Sequence, residues 1–315
     1  VPVHSEIVMG TVVTIQVVDS GSDAVPGASA VDTARADAAI ARAFGWFHEI
    51  EARCTRFDQR SELMQLTVQA SVPVPASAIL FEAVRFALML AEETGGAFDP
   101  TVGHRMEARG FNREHRTGAI VRGAVTPDDD VSYRDVELDA ERRTITLRRP
   151  LTLDLGAVAK GLAVDTAARE LAPFKDFAID AGGDLYLGGS NPDGDPWYVG
   201  IRHPRRDDEL IASLRVSNQA VCTSGDYERR IPGDGSRQGL AGHHILDPRT
   251  GASAQAVASA TVVASGAMLA DALATAAFVL GPEAGIQLLT RLGVDGLIVT
   301  PELDRYETGG LCHGS

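Results

Sequence analysis

The sequence predicts an α+β fold, with mixed sheets and packed helices. Three observations lead there. Strand-like and helix-like segments come in mixed order, without the regular βαβ alternation of a doubly wound sheet. No G-x-G-x-x-G follows a strand and no G-x-x-x-x-G-K-[ST] occurs, so neither a Rossmann nor a P-loop architecture is supported. The 315 residues contain no internal repeat, low-complexity tract or clear linker, and their length allows one large domain or two moderate ones with ample core.

Residues 6–18 (EIVMGTVVTIQVV) are β-branched and alternating, and read as one strand interrupted by Gly10. A glycine inside a strand marks a bulge or the close approach of backbone or ligand. Residues 20–30 read as a Gly/Ser/Asp-rich loop. Residues 32–55 carry Ile40, Phe44, Phe47 and Ile50 on one stripe of a long amphipathic helix. Ser61 is an N-cap candidate for a short helix, and residues 76–94 form another that stops at Gly95-Gly96. In AFDPTVG (97–103), Phe98 and Asp99 follow a glycine pair and precede Pro100; such a segment suits a ring ligand or an ordinary loop. Residues 110–133 read as a polar surface insertion, and 136–149 as a hairpin.

The stretch LTLDLGAVAKGLAVD (151–165) combines a strand-like run bearing Asp154, a break at Gly156, and an alanine-rich helix bearing Lys160. Backbone N–H groups and the positive end of a helix dipole at such a junction suit an anionic ligand, and the lysine adds a mobile charge for a phosphate. A tight turn with a solvated lysine fits the same residues. Two short strands then flank Gly182-Gly183, with Asp184 next, and further strands are expected at 197–203, 210–216 and 220–224. A Gly-rich loop lies between 232 and 242, followed by the pair His243-His244 and the turn Asp-Pro-x-Thr-Gly. Residues 259–264 read as a strand, 284–292 as a helix and 296–300 as a last strand.

Residues 267–280 (AMLADALATAAFVL) form a nearly all-apolar helix that should be buried. Asp271 and Thr275 are spaced i,i+4, so both oxygens lie on one face. A buried carboxylate is costly unless it is paired or coordinates a metal, and hard oxygens with phosphate co-ligands commonly hold Mg²⁺. An aspartate favoured near a helix N-terminus, beside a threonine bonding its own backbone, is the structural alternative.

The net charge of −14, from 29 Lys+Arg and 43 Asp+Glu, comes without a basic patch, so nucleic-acid binding is not expected. Cys54, Cys222 and Cys312 fit neither a zinc spacing nor a disulfide framework. The longest apolar stretch is broken by Asp271, so no integral membrane segment is expected. No secretory leader is visible before residue 10. The expected location is the cytoplasm, or outside it if a leader was removed.

Eight pieces, in order, span nearly the whole chain: MGT (9–11), RFDQRSEL (56–63), GGAFDPTVG (95–103), DLGAVAKGLAVD (154–165), DAGGDLYLGG (180–189), TSGDYER (223–229), HHILDPRTG (243–251) and ADALAT (270–275). Together they resemble the ApbE family, the FAD:protein FMN transferases. The resemblance implies an ApbE-like α+β fold with an FAD/Mg cleft between two sub-domains. It implies that Met9, Phe57, Ala97, Phe98 and Asp99 line an FAD pocket and that Asp154 and Lys160 contact the flavin nucleotide. It implies Mg²⁺ ligands at Ala157, through its carbonyl, and at Asp271 and Thr275, with Ala274 a neighbouring metal-site position, and His244 as general base. The implied reaction moves the FMN part of FAD onto a Thr or Ser hydroxyl of an acceptor protein and releases AMP. Alternatives are hydrolysis of FAD to FMN and AMP, and FAD binding without turnover. The family's acceptor motif has the form Asp-x-x-Ser/Thr-Gly-Ala-Ser/Thr; DPRTGAS (247–253) has that form here, which raises self-modification at Ser253 as a hypothesis. The residue chemistry agrees: a histidine with an ordinary pKa near ~6.5 suits a base for a hydroxyl nucleophile, and Phe57 or Phe98 suits stacking on a ring.

Overall fold

The computed structural model describes residues 2–18, 29–114, 117–123, 125, 130–231 and 242–314. The expected Gly-rich loop after 232 and most of the loop at 20–30 lie outside the described residues, as does part of the 110–133 insertion.

The chain begins with β1 (Val3–Val8), β2 (Thr11–Val17), α1 (Ser29–Cys54), α2 (Glu62–Thr67), β3 (Val74–Pro75), α3 (Ala78–Glu93) and α4 (Gly103–Ala108). There follow β4 (Val136–Asp139), β5 (Thr144–Leu147), α5 (Gly156–Leu171), β6 (Phe177–Ala181), β7 (Leu185–Gly188), β8 (Trp197–Arg202), β9 (Leu210–Val216) and β10 (Gln219–Gly225). The last part holds β11 (Arg230–Ile231), β12 (Gly242–His243), β13 (Ser259–Ala264), α6 (Ala267–Leu280), α7 (Pro282–Leu292), β14 (Asp295–Val299) and β15 (Arg305–Glu307).

An eight-stranded sheet of order β1-β2-β6-β7-β10-β13-β14-β15 organises the molecule, and its neighbouring strands are antiparallel. Side chains alternate across each strand, so each face needs its own cover. One face, with Ile15, Ile179, Cys222, Val262 and Ile298, joins the main core with α1, α3, α5 and α6. On the other face, Leu187, Val221, Val263 and Leu297 pack against Trp197, Val199, Leu214 and Val216 of the β8–β9 hairpin. The α+β reading of the sequence holds, as a helical layer, a sheet and a hairpin layer.

The strand expected last, at 296–300, is followed by β15, and two further local expectations change. The strand over 6–18 is a hairpin: β1 and β2 pair with Val8 opposite Thr11, and Met9 and Gly10 form the turn. Their φ values of +53° and +78° match a two-residue type I′ turn, whose twist suits adjoining antiparallel strands. Residues 151–155 belong to no sheet, and at Leu155 (φ −104°, ψ 16°) the chain already bends into α5. Leu151, Leu153 and Leu155 are buried, while the Asp154 N–H donates to the Pro100 carbonyl at 2.7 Å. The apolar alternation thus reports burial, and the Pro100 carbonyl, at the start of a short 3-10 helix (Pro100–Val102), takes the place of a ladder partner.

α5 and α6 pack with unusually little between them. A Cβ on Gly161 would lie 2.5 Å from the Ala267 carbonyl oxygen and from Met268 Cα. Gly266 offers no side-chain cap to α6. Asp165 of α5 supplies it instead, accepting from the N–H groups of Ala267 at 2.6 Å and Met268 at 3.1 Å. A carboxylate at this end also complements the helix dipole.

Candidate functional site

α6 occupies the bounds expected from the sequence, and its alanines, Leu273 and Phe278 are buried. Asp271 and Thr275 face one cavity of about 740 Å³. Asp271 is 7% exposed, and the Thr275 hydroxyl lies 3.2 Å from that of Ser224 at the end of β10. Ala274 is fully buried and lies outside the cavity lining.

The start of α5 forms the facing wall through Gly156, Ala157 and Lys160. Asp154 anchors this corner. One of its oxygens accepts from the Gly156 N–H at 2.8 Å, and the other from Arg56 Nε at 2.6 Å. Burial pushes its pKa up, but Arg56 and the Gly156 N–H outweigh that and hold the carboxyl below its ordinary range. Arg56 is 5% exposed, donates also to the Phe111 carbonyl at 2.5 Å, and lies over the Phe57 ring, 4.3 Å from its centroid. Phe57 and Asp154 both line the cavity, so this ion pair ties an aromatic wall to the helix start.

Lys160 does not project freely toward solvent. Its ammonium is ion-paired with Asp184 and also reaches Asp271 at 3.4 Å. Asp184, 2% exposed, comes from the β6–β7 turn. Gly182 and Gly183 take φ values of +67° and +94° there, and a Cβ on Gly182 would collide with the Thr11 hydroxyl. Glycine is therefore required at 182 for the turn of β6–β7 to lie against the first residue of β2.

Ala97, Phe98 and Asp99 line the cavity from the loop after α3. Asp99 is occupied by its own loop: one oxygen accepts from the N–H and hydroxyl of Thr101 at 2.9 and 2.8 Å, the other from the Tyr133 N–H at 3.0 Å. Burial is the largest influence on it and raises its pKa despite these bonds. Met9 lines a smaller adjoining cavity of about 350 Å³, whose walls share Arg56, Phe57, Asp154 and Lys160 with the larger one.

The two adjacent histidines have different surroundings. His243 is buried, bonds the Ala254 carbonyl at 2.7 Å and packs edge-on to Phe278. His244 lines the cavity, and its Nδ1 is buried with no hydrogen-bond partner among the described residues. Its pKa departs from the expectation of about 6.5: burial first, then the positive field of Arg229 and the neighbouring His243, lower it to about 3. The ring is therefore neutral at pH 7 and able to accept a proton.

The donor set at α6 suits a hard cation. One carboxylate and the Thr275 and Ser224 hydroxyls converge there, and the described residues hold no cluster of three or more His, Cys, Asp or Glu side chains able to cage a metal. Such a partial shell fits Mg²⁺, which retains waters and phosphate oxygens among its ligands. It does not fit a structural zinc site.

A family model described as the ApbE family matches residues 9–298. This chain belongs to the ApbE family. The FAD:protein FMN transferase of Treponema pallidum is 34% identical to it, over 95% of this chain and 84% of that one. The crystal structure of the ApbE protein from Thermotoga maritima superposes with a TM-score of 0.81 at 28% identity, covering 98% of this chain and 97% of the other. The flavin transferase ApbE from Vibrio cholerae gives 0.78 at 26% identity, again covering 98% and 97%.

The ApbE motifs converge from both ends of the chain on one cleft: Phe57, Asp154, Ala157, Lys160, His244, Asp271 and Thr275 all line it. Sequence reasoning gave no role to Arg56, Asp165, Asp184 or Ser224. Arg56 and Asp184 had local signals, since one adjoins Phe57 and the other follows a glycine pair. Their partners, Asp154 and Lys160, are distant in sequence. Among the described residues no helix is long and apolar enough to cross a membrane.

Proposed function

We propose that this chain is a flavin transferase that moves the FMN part of FAD onto a Thr or Ser hydroxyl of an acceptor protein and releases AMP. The observation that carries this reading is the meeting of α6 and the start of α5 across one cavity, with Asp271, Thr275, Ala157, Lys160 and His244 all on its walls. The curated relatives carry the same activity in their names. We read residues 1–315 as one transferase domain, because the elements lining the cavity come from most of its length.

In this reading the acceptor oxygen attacks the phosphorus of the FMN half. The bond from that phosphorus to the bridging oxygen breaks, AMP leaves with the oxygen, and His244 takes the hydroxyl proton. Charge on the pyrophosphate is met by Lys160 and by the N-terminal end of α5. Phe57, backed by Arg56, and Phe98 offer apolar faces for a ring. Asp271, Thr275 and the Ala157 carbonyl would hold Mg²⁺, which when bound neutralises phosphate charge. A low pKa leaves His244 a weak base in the free protein; a bound pyrophosphate opposes the field of Arg229 and strengthens it.

The acceptor is read as another protein bearing Asp-x-x-Ser/Thr-Gly-Ala-Ser/Thr. The chain's own version is engaged in its fold: Ser253 is 8% exposed, and its hydroxyl donates to the His243 carbonyl at 2.7 Å. Incubation with FAD, Mg²⁺ and a peptide carrying the motif tests the reading. AMP with flavin-labelled peptide is expected. AMP with free FMN and unlabelled peptide would establish hydrolysis instead, and absence of AMP would reduce the site to binding.

A further inference from the structure

Two nearly buried carboxylates, Asp184 at 2% exposure and Asp271 at 7%, meet one ammonium, that of Lys160. They arrive from separate elements: the β6–β7 turn, α6 and α5. Asp271 is also the carboxylate that the reading above gives to Mg²⁺, on which this inference rests. Lysine and metal therefore compete for one ligand. A cation released from Asp271 would still have to stay in the cleft to meet a phosphate.

We propose that Asp184 is a positioning residue that holds Lys160 on its own side of the cleft, so that a divalent ion can take Asp271 without a competing ammonium. The placement allows it, since the Lys160 ammonium sits between the two carboxylates, ion-paired with Asp184 and within 3.4 Å of Asp271. Asp184 can serve as a fixed point because its turn is constrained: Gly182 is pressed against Thr11, and the Ala181 N–H donates to the Asp184 carbonyl at 2.9 Å. Without the Asp184 charge, the flexible lysine chain would settle on Asp271, the other carboxylate it already reaches among the described residues. With the lysine replaced by an apolar chain of similar length, Asp271 would lose its internal counter-ion and favour the metal.

Calorimetric titration of the FAD-free protein with Mn²⁺, a probe with the same oxygen preference as Mg²⁺, tests this apart from turnover. Asp184→Asn should weaken metal binding by about tenfold, and Lys160→Met should tighten it by about tenfold. In the double variant, Asp184→Asn should have lost its weakening effect, because no ammonium remains to compete. Equal weakening by Asp184→Asn with and without Lys160 would make Asp184 a metal ligand and overturn the proposal. So would unchanged affinity in Asp184→Asn. Should that variant fail to fold, Lys160→Met alone decides: unchanged or weaker binding overturns the proposal. A wild-type protein that binds no Mn²⁺, even with AMP added, would overturn the metal reading itself and this inference with it.

Discussion

Gly161→Ala isolates the contact that sets α6 against α5. The added methyl carbon would lie 2.5 Å from the Ala267 carbonyl oxygen and 2.5 Å from Met268 Cα, against 3.4–4 Å for ordinary contact. Both atoms are backbone of the first turn of α6, so no rotamer change relieves the clash. The helix must retreat by roughly 1 Å, and overpacking of this kind costs about 1–3 kcal/mol. The same movement lengthens the Asp165 cap bonds, now 2.6 and 3.1 Å. It also carries Asp271 and Thr275 away from Ala157 and Lys160; a misplacement near 1 Å can lower turnover by about 10²-fold. Urea unfolding and Mg²⁺-dependent AMP release should therefore both fall. Gly45→Ala serves as control: this glycine lies in α1, where an added methyl would meet nothing within 4 Å, and it should gain about 0.5–1 kcal/mol from helix propensity alone. Unchanged stability in Gly161→Ala would refute the close approach. Lost stability with full turnover would refute the link between helix spacing and chemistry.

Other expectations follow from the same geometry. Asp271→Ala should abolish Mg²⁺-dependent AMP release while FAD still quenches protein fluorescence; turnover that no longer needs metal would contradict its role. Arg56→Met leaves Asp154 in a largely buried corner without its guanidinium and should cost about 3 kcal/mol in urea unfolding, with weakened FAD binding; wild-type stability would mean the pair contributes little. His244, held at about 3 against an ordinary 6.5, stays neutral in the folded chain while the unfolded chain protonates. Stability should then fall as pH drops through that window, by up to ~1.4 kcal/mol per pH unit from this residue. His244→Gln should flatten the pH dependence of unfolding and slow transfer; an unaltered slope would count against the buried, neutral ring.

Much of the scaffold can be read locally. α6 is an apolar run between Gly266 and Gly281, so its bounds are visible from composition, and its i,i+4 pair needs only helical spacing to share a face. Ser61 and Ser77 cap α2 and α3 through bonds to Met64 and Leu80, the short-range chemistry that a sequence displays well. Other features depend on partners. Met9-Gly10 looks like a strand interior because β-branched alternation continues on both sides, and methionine is an unusual occupant of a left-handed turn position. The run at 151–155 reveals burial but not the absent ladder. β3 and β15, of two and three residues, are too short for any period to register. Nothing local separates His243 from His244; Phe278 and the Ala254 carbonyl decide which ring is structural. The depressed pKa of His244 is likewise a property of what surrounds it.

The pairing of β2 with β6, and of Lys160 with a carboxylate 111 residues further on, has a consequence for synthesis. A ribosome must extrude the chain beyond residue 275 before the cleft can close around a nucleotide. Nascent chains and truncated fragments should therefore show no graded, partial chemistry. Competence arises late, when the final third of the polypeptide docks onto what was made first.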